Sequence, residues 1–178
     1  EMQPLAFSDT PNDFIKAVAS RAPRGRYPRG FSGEQPYWTI VGLDGGTQQG
    51  LIGEDGAVEF TKGGMSLTPF VLMNGQLLTW ANVELRQSLQ DGYLPIPSVH
   101  WKHPDFRLQV TTFVRGDENQ SQMFVRYQLT NTSAAEQQFT LALAAQPWQV
   151  NPPTQFLSTQ GGFSPVRFLA INAGGDVM

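Results

Sequence analysis

From Tyr37 onward, apolar and polar positions alternate with a period of two, the mark of strands with one buried face. "YWTIVGL" runs into Asp44-Gly45-Gly46 and then "TQQGLIG", and Glu54-Asp55-Gly56 turns into "AVEF". "MSLTPFVLM" meets Asn74-Gly75 and then "QLLTW". Asn-Gly and Asp-Gly between apolar runs signal hairpins, because both central residues need positive φ. "FRLQVTTFV" sets Phe106, Leu108 and Val110 against Arg107, Gln109 and Thr111. "SQMFVRYQL" puts Met123, Val125, Tyr127 and Leu129 on one face, and "FTLALAA" follows the turn "TNTSAAEQ". These three runs are expected to form an antiparallel meander. Pro69, which cannot donate to a ladder, is expected at an edge or a bulge. "SPVRFLAI" is expected as a further strand and "NAGGD" as a hairpin turn. The strand completing that hairpin would lie beyond Val177-Met178, so the chain reads as a fragment of a longer polypeptide.

Before Tyr37 the period changes. Thr10 is a good N-cap, Pro11 fits the first helical position, and Phe14, Ile15, Val18 and Ala22 recur at helical spacing. Pro23 and Gly25 end this short helix. "RAPRGRYPRGFSGEQP" is rich in Gly and Pro and carries four arginines, and it reads as an extended, solvated linker. The organisation expected is a helix and linker over residues 1–36 and an antiparallel β-sandwich over 37–178, supersandwich-like and mainly β.

Composition narrows the function. The chain has 178 residues, 18 of them Gly and 13 Pro, which suits many turns and few long helices. Charged residues are only 15% of the chain, against about a quarter in a typical domain, so much of the surface is neutral polar or covered by a partner. A formal charge of −3 provides no global field for nucleic acid or an anionic membrane. There is no cysteine, hence no disulfide framework and no thiolate chemistry. No apolar run approaches the ~18–20 residues of a membrane span. "EMQPLAFSDT" lacks the basic start and apolar core of a signal peptide, so periplasmic or secreted placement would need a signal outside this sequence.

The chemistry-bearing residues are sparse. His100 and His103, in "VHWKHP", are the only histidines, and positions three apart on a strand point to opposite faces. A metal site normally needs three or four converging ligands. No G-x-S-x-G elbow and no Gly-rich phosphate loop occurs, so no cofactor is expected. Glycoside chemistry needs two carboxyl groups roughly 5–9.5 Å apart, but most acids fall in turns, where they bond to their own backbone. Glu84 and Asp91 are the exceptions. Tyr93, Trp101 and Trp80 form a candidate sugar-stacking platform beside Asp91, with burial in a sandwich core as the competing reading. Asn119-Gln120-Ser121 and Asn131-Thr132-Ser133 match glycosylation sequons, and Arg115-Gly116-Asp117 an adhesion tripeptide. The densest candidate surface is "PWQVNPPTQF". Its prolines stiffen an extended backbone, and Trp148, Gln149, Asn151, Pro152, Gln155 and Phe156 are expected to be held outward, toward carbohydrate or toward another domain.

"PYWTIVGLDGGTQQGLIGEDGAVEF" and "TWANVELRQSLQDGYLPIPSVHW" resemble the opening of large bacterial glycosidase-like proteins, in which an N-terminal β-sandwich precedes an (α/α)6 barrel. "MFVRYQLTNTSAAEQQFTLALAAQPWQVNPP" resembles a strand–turn–strand unit found more loosely in the sandwich domains of glucoamylase-type hydrolases and of maltose and cellobiose phosphorylases. The resemblance implies a galactose-mutarotase-like supersandwich whose catalytic carboxylates sit on the barrel, a sequence absent here. It therefore implies a non-catalytic domain that packs on, and shapes, a C-terminal barrel of the same polypeptide. The alternatives are an independent carbohydrate-binding module and, behind it, a mutarotase-type sandwich enzyme using His100 or His103.

Overall fold

The computed structural model describes residues 10–170 and 172–174. Helix α1 spans Pro11–Ala19, with the Thr10 hydroxyl accepting from the Asp13 N–H. Its buried stripe is Ile15 and Ala19, packed with Phe31 and Trp148. Phe14 is 54% exposed and Ala22 lies beyond the helix end, so the apolar face is narrower than the sequence spacing implies.

Ten strands follow: β1 (Trp38–Gly42), β2 (Gln49–Gly53), β3 (Val58–Glu59), β4 (Ser66–Met73), β5 (Gln76–Leu78), β6 (Glu84–Gln90), β7 (Leu94–Lys102), β8 (Phe106–Gly116), β9 (Ser121–Asn131) and β10 (Phe139–Gln146). They form two antiparallel sheets, one ordered β1-β2-β3-β4-β10 with β5 also on β4, the other β6-β7-β8-β9. The architecture is a mainly β antiparallel sandwich with one short helix. Asn74 (φ 51) with Gly75 (φ 75) and Asp91 (φ 54) with Gly92 (φ 80) make the two tight hairpins, as dipeptides tolerant of positive φ should.

The core lies between the sheets. Trp101, Phe106, Leu108 and Val110 of the second sheet meet Val41, Ile52, Val58 and Val71 of the first. Strand alternation then fixes the other faces. On the first sheet, Leu51, Glu59 and Ser66 share an outer row. On the second, Arg86, His100, Gln109 and Gln128 share one.

Several expectations are corrected. β10 does not continue a meander with β8 and β9; it crosses to the first sheet and pairs β4, with Leu141 opposite Val71. The reason lies in the preceding turn. Thr132 N donates to Asp105 O and its hydroxyl to Pro104 O, pinning the chain to the end of the second sheet instead of reversing it. Phe139 then enters the core edge-on to Phe106, with centroids 5.8 Å apart. Pro69 sits at neither an edge nor a bulge. β4 lies between β10 and the pair β3 and β5, and Pro69 falls opposite the gap between those two short strands. Pro95 and Ile96 lie outside the β7–β8 ladder, which begins at Ser98.

Residues 164–170 form no strand. Ser164 is held instead by the Pro147 and Gly63 carbonyls, and Phe168 stands 72% exposed. Of the expected final hairpin, Asn172–Gly174 form a turn, while Ile171, Val177 and Met178 lie outside the described residues.

The arginine-rich segment is no solvated linker. Arg24 makes a bidentate pair with Glu34 at 2.8 and 2.9 Å, Arg29 reaches the same carboxylate at 2.8 Å, and Arg29 Nε lies 3.1 Å from Glu54. Both guanidiniums lie over the Trp80 ring, 4.5 and 4.1 Å from its centroid. This cover explains why Trp80 is only 2% exposed. A Cβ at Gly25 (φ +92) would overlap the Thr79 hydroxyl, so the segment can lie this close only with glycine there.

Candidate functional site

The stretch Pro147–Phe156 crosses the outer side of the first sheet and is pinned by one acid. Glu59, 1% exposed, accepts from Val150 N at 2.8 Å and Asn151 N at 3.2 Å through one oxygen, and from Gly63 N at 2.8 Å through the other. Burial raises its pKa, while these N–H groups pull it back. On its far side the stretch carries the N-terminal segment. Trp148 packs on Tyr27 at 5.4 Å and Phe31 at 6.0 Å, and Asn12 bonds to both Gly161 O and Phe163 N.

Here the expected outward surface is corrected. Trp148, Gln149, Asn151 and Pro152 are buried, Gln155 is half-buried, and only Phe156, at 72%, stands out. The inward turn follows from the Glu59 anchor, which draws the Val150 and Asn151 amides onto the sheet. Crevices flanking this Glu59-pinned clasp, Pro147–Phe156, are lined by Gln149 with Asn151 or Arg29 and hold about 10 and 20 Å³. That is room for about one water and too little for a monosaccharide.

The aromatic platform is corrected too. Trp101 is fully buried, its indole N–H donating to Asp55 O at 2.9 Å, and Trp80 lies under the arginines. Asp91 and Tyr93 remain exposed on the tip of the β6–β7 hairpin, Tyr93 by 75%. Beside that tip, between the free edges β1 and β6, opens a cleft of about 440 Å³, its walls including Ile52, Leu89, Pro97 and Gln87.

Asp55, Asp117 and Glu84 are occupied locally. Asp55 accepts from Ala57 N at 3.0 Å, and Asp117 caps its own turn. Glu84 is held below the usual carboxylate range by Arg86 and Lys102. His103 stacks on Phe106 at 4.8 Å beside Asp105, whereas His100 stands on the outer face and pairs with the Ser88 hydroxyl at 2.8 Å. The two histidines do not converge, and among the described residues no group of His, Cys, Asp and Glu could hold a metal ion. Among the described residues the Ser88–His100 contact has no carboxylate behind it, so it lacks the third member that orients a catalytic imidazole.

The residues that do come together are those on the outer face of the second sheet, which no other element among the described residues covers. Ser98 and Thr111 share a 2.8 Å hydrogen bond, and Gln109 donates to both. Next to them, Phe113 and Phe124 stack at 5.3 Å, with the Arg115 guanidinium 4.9 Å from the Phe124 centroid. Strands β6 to β9 carry Arg86, Lys102, Arg107, Arg115 and Arg126 against Glu84 alone, a formal +4 in a chain of −3. Alternation in "FRLQVTTFV" displays one of this face's four strands in sequence. Its assembly across four strands depends on register, which the sequence does not spell out. No family model, curated protein or solved structure matches this chain.

Proposed function

We propose that the chain is a non-catalytic N-terminal β-sandwich domain, galactose-mutarotase-like, of a multidomain glycosidase- or phosphorylase-like protein, packing against an (α/α)6 barrel. The reading comes from the sequence resemblance. One structural observation supports its non-catalytic part: the buried acids are engaged by backbone N–H groups or arginine, His100 has no carboxylate partner among the described residues, and His103 is stacked on Phe106 with its Nδ1 accepting from Asp105 N. Phe156, Phe168 and Leu169, exposed by 72%, 72% and 52%, supply apolar surface of the kind an adjoining domain covers. The test is an assay of the purified chain against a panel of aryl glycosides and against aldose anomers. No turnover is expected, and any turnover that survives repurification overturns the proposal. A second reading, an independent carbohydrate-binding module, draws support from the open Phe113–Phe124 pair beside amides and hydroxyls.

A further inference from the structure

We propose that two copies of this chain pair through the outer edge of β6, joining their four-stranded second sheets into one antiparallel sheet of eight strands. The inference goes beyond the domain reading above and does not rest on it. An open edge is the first observation. β6 ends the second sheet, and among the described residues no backbone bond joins Glu84–Ser88 to any strand but β7. Such a row of unpaired N–H and C=O groups is a template for another strand, and proteins blunt it with proline, lysine, inward-pointing charge or short length. β6 has seven residues, none of them Pro or Lys. Leu85, Gln87 and Leu89, opposite Trp101, Val99 and Pro97, are its inward positions and carry no charge. The cleft is the second observation. About 440 Å³ lies open between β6 and β1, and Leu89 at its wall is 40% exposed. A further strand on β6 would roof it.

The order of residues in β6 commits this edge to a second copy. A two-fold axis normal to the sheet pairs the strands antiparallel, with opposite residues on the same face. Centred on Gln87, it sets Leu85 opposite Leu89 of the second copy, Arg86 opposite Ser88 and Glu84 opposite Gln90, and each Gln87 opposite the other. Apolar groups then meet over the cleft, the two amides offer each other a donor and an acceptor, and no like charges face one another. Moving the axis destroys the match. Centred on Arg86 it opposes two guanidiniums, and centred on Ser88 it sets Leu89 against Gln87 and Leu85 against Asp91. Centred on Leu85 or Leu89 it pairs only three residues of the strand. The sheet's other edge, β9, has Arg126 at its middle, which the equivalent axis would oppose to itself. A strand from an unrelated protein would use the β6 edge but has no need of this symmetry about Gln87.

The experiment is sedimentation equilibrium of the 178-residue chain at concentrations up to about 1 mM, since one strand pair makes a small, weak interface. A monomer–dimer equilibrium is expected. Ser88→Glu meets Arg86 of the second copy on both sides of the axis and should tighten the dimer about threefold or more. Ser88→Arg opposes like charges at the same two places and should weaken it about fivefold or more. Gln87→Lys puts two ammonium groups on the axis and should weaken it about tenfold. Both positions are exposed, so unfolding midpoints of the dilute variants should stay at the parent value. If Gln87→Lys unfolds early, the two Ser88 variants decide. A chain that is monomeric throughout the range overturns the proposal. So does a dimer that Ser88→Glu and Ser88→Arg shift in the same direction, or that none of these changes affects, because its contact then lies elsewhere.

Discussion

The two sheets treat their outer faces in opposite ways. On the first, Leu51, Glu59 and Ser66 are exposed by only 4%, 1% and 1%, because the clasp and the N-terminal segment lie across them. On the second, Arg86, Gln128 and Arg126 stand exposed, and no element among the described residues lies above them. Both faces carry polar groups, although Ile40 and Leu51 share the row of Glu59 and Ser66 on the first. What separates them is the kind of polar group. A single carboxylate on a short strand gathers backbone N–H groups from two loops. Hydroxyls and amides that bond one another across strands leave nothing for a loop to attach to. Cover on a sheet is therefore set by whether its side chains are complementary to backbone.

The largest effects should come from removing the cover. Trp148→Ala deletes the ring on which Tyr27 and Phe31 rest, and a change of this size costs about 3–5 kcal/mol in a packed cluster. Glu59→Ala leaves three buried N–H groups without an acceptor, each worth roughly 1–3 kcal/mol when orphaned. Urea denaturation should show both variants destabilised by about 3 kcal/mol or more. Proteolysis should then cut first within residues 20–36. If Glu59→Ala unfolds no earlier than the parent, the clasp is not what holds the cover, and the contrast between the faces collapses. Gly30→Ala is a narrower probe. A Cβ there would sit 2.6 Å from Pro152 Cβ, and such overpacking costs about 1–3 kcal/mol.

The strands and hairpin tips could be read from the sequence because their signals are local: period-two alternation, and Asn-Gly or Asp-Gly where φ is positive. The sheet switch of β10 could not, because it depends on Thr132 finding carbonyls 27 and 28 residues back. The covered face was hidden for a similar reason. "RAPRGRYPRGFSGEQP" has the composition of a solvated linker, and only the placement of Trp80 and Glu34 turns two of its arginines into fasteners. Of the six residues expected outward around Pro152, the sequence placed Phe156 correctly. Trp148, Gln149, Asn151 and Pro152 turned inward, since Glu59 is about ninety residues away and its carboxylate gives no local sign of its partners.

The covered face should also respond to pH. Burial raises the pKa of Glu54, Asp55 and Glu59, so the folded chain holds protons that the unfolded chain releases from about pH 4 upward. Stability from these groups is therefore full below the unfolded value and declines as pH rises through the folded ones. Glu34, held low by Arg24, acts in the opposite sense, losing its contribution as pH falls through its folded value. Glu84, held low by Arg86 and Lys102, acts with Glu34, but both are partly exposed and screened by solvent. Against the three acids raised by burial, the melting temperature should therefore rise as pH falls from neutral toward the unfolded carboxylate value. Asp55→Asn, which keeps the acceptor for Ala57 N, should flatten that rise. A melting temperature that falls over this interval in the parent, with Asp55→Asn parallel to it, would show that the buried acids do not govern the covered face.

The smallest effects belong to the open face, and they test the comparison from its other side. Arg126 makes no hydrogen bond or ion pair among the described residues and is exposed on edge strand β9. Arg126→Ala removes no buried area and orphans no partner, so its unfolding free energy should stay within about 0.5 kcal/mol of the parent. Gln109→Ala reaches one layer deeper. It takes a donor from Ser98 and Thr111, but these keep each other as partners at 2.8 Å, so its cost should be about 1 kcal/mol or less. Chemical denaturation of both variants decides the matter. A loss near 3 kcal/mol in either would mean that this face is also part of the fold's support. Its polar residues would then be explained by stability, and the difference between the two faces would be one of exposure alone. A loss within the expected range leaves an uncovered, cationic, hydrogen-bonding surface with no part in holding the chain together, so its composition must be explained by what it meets.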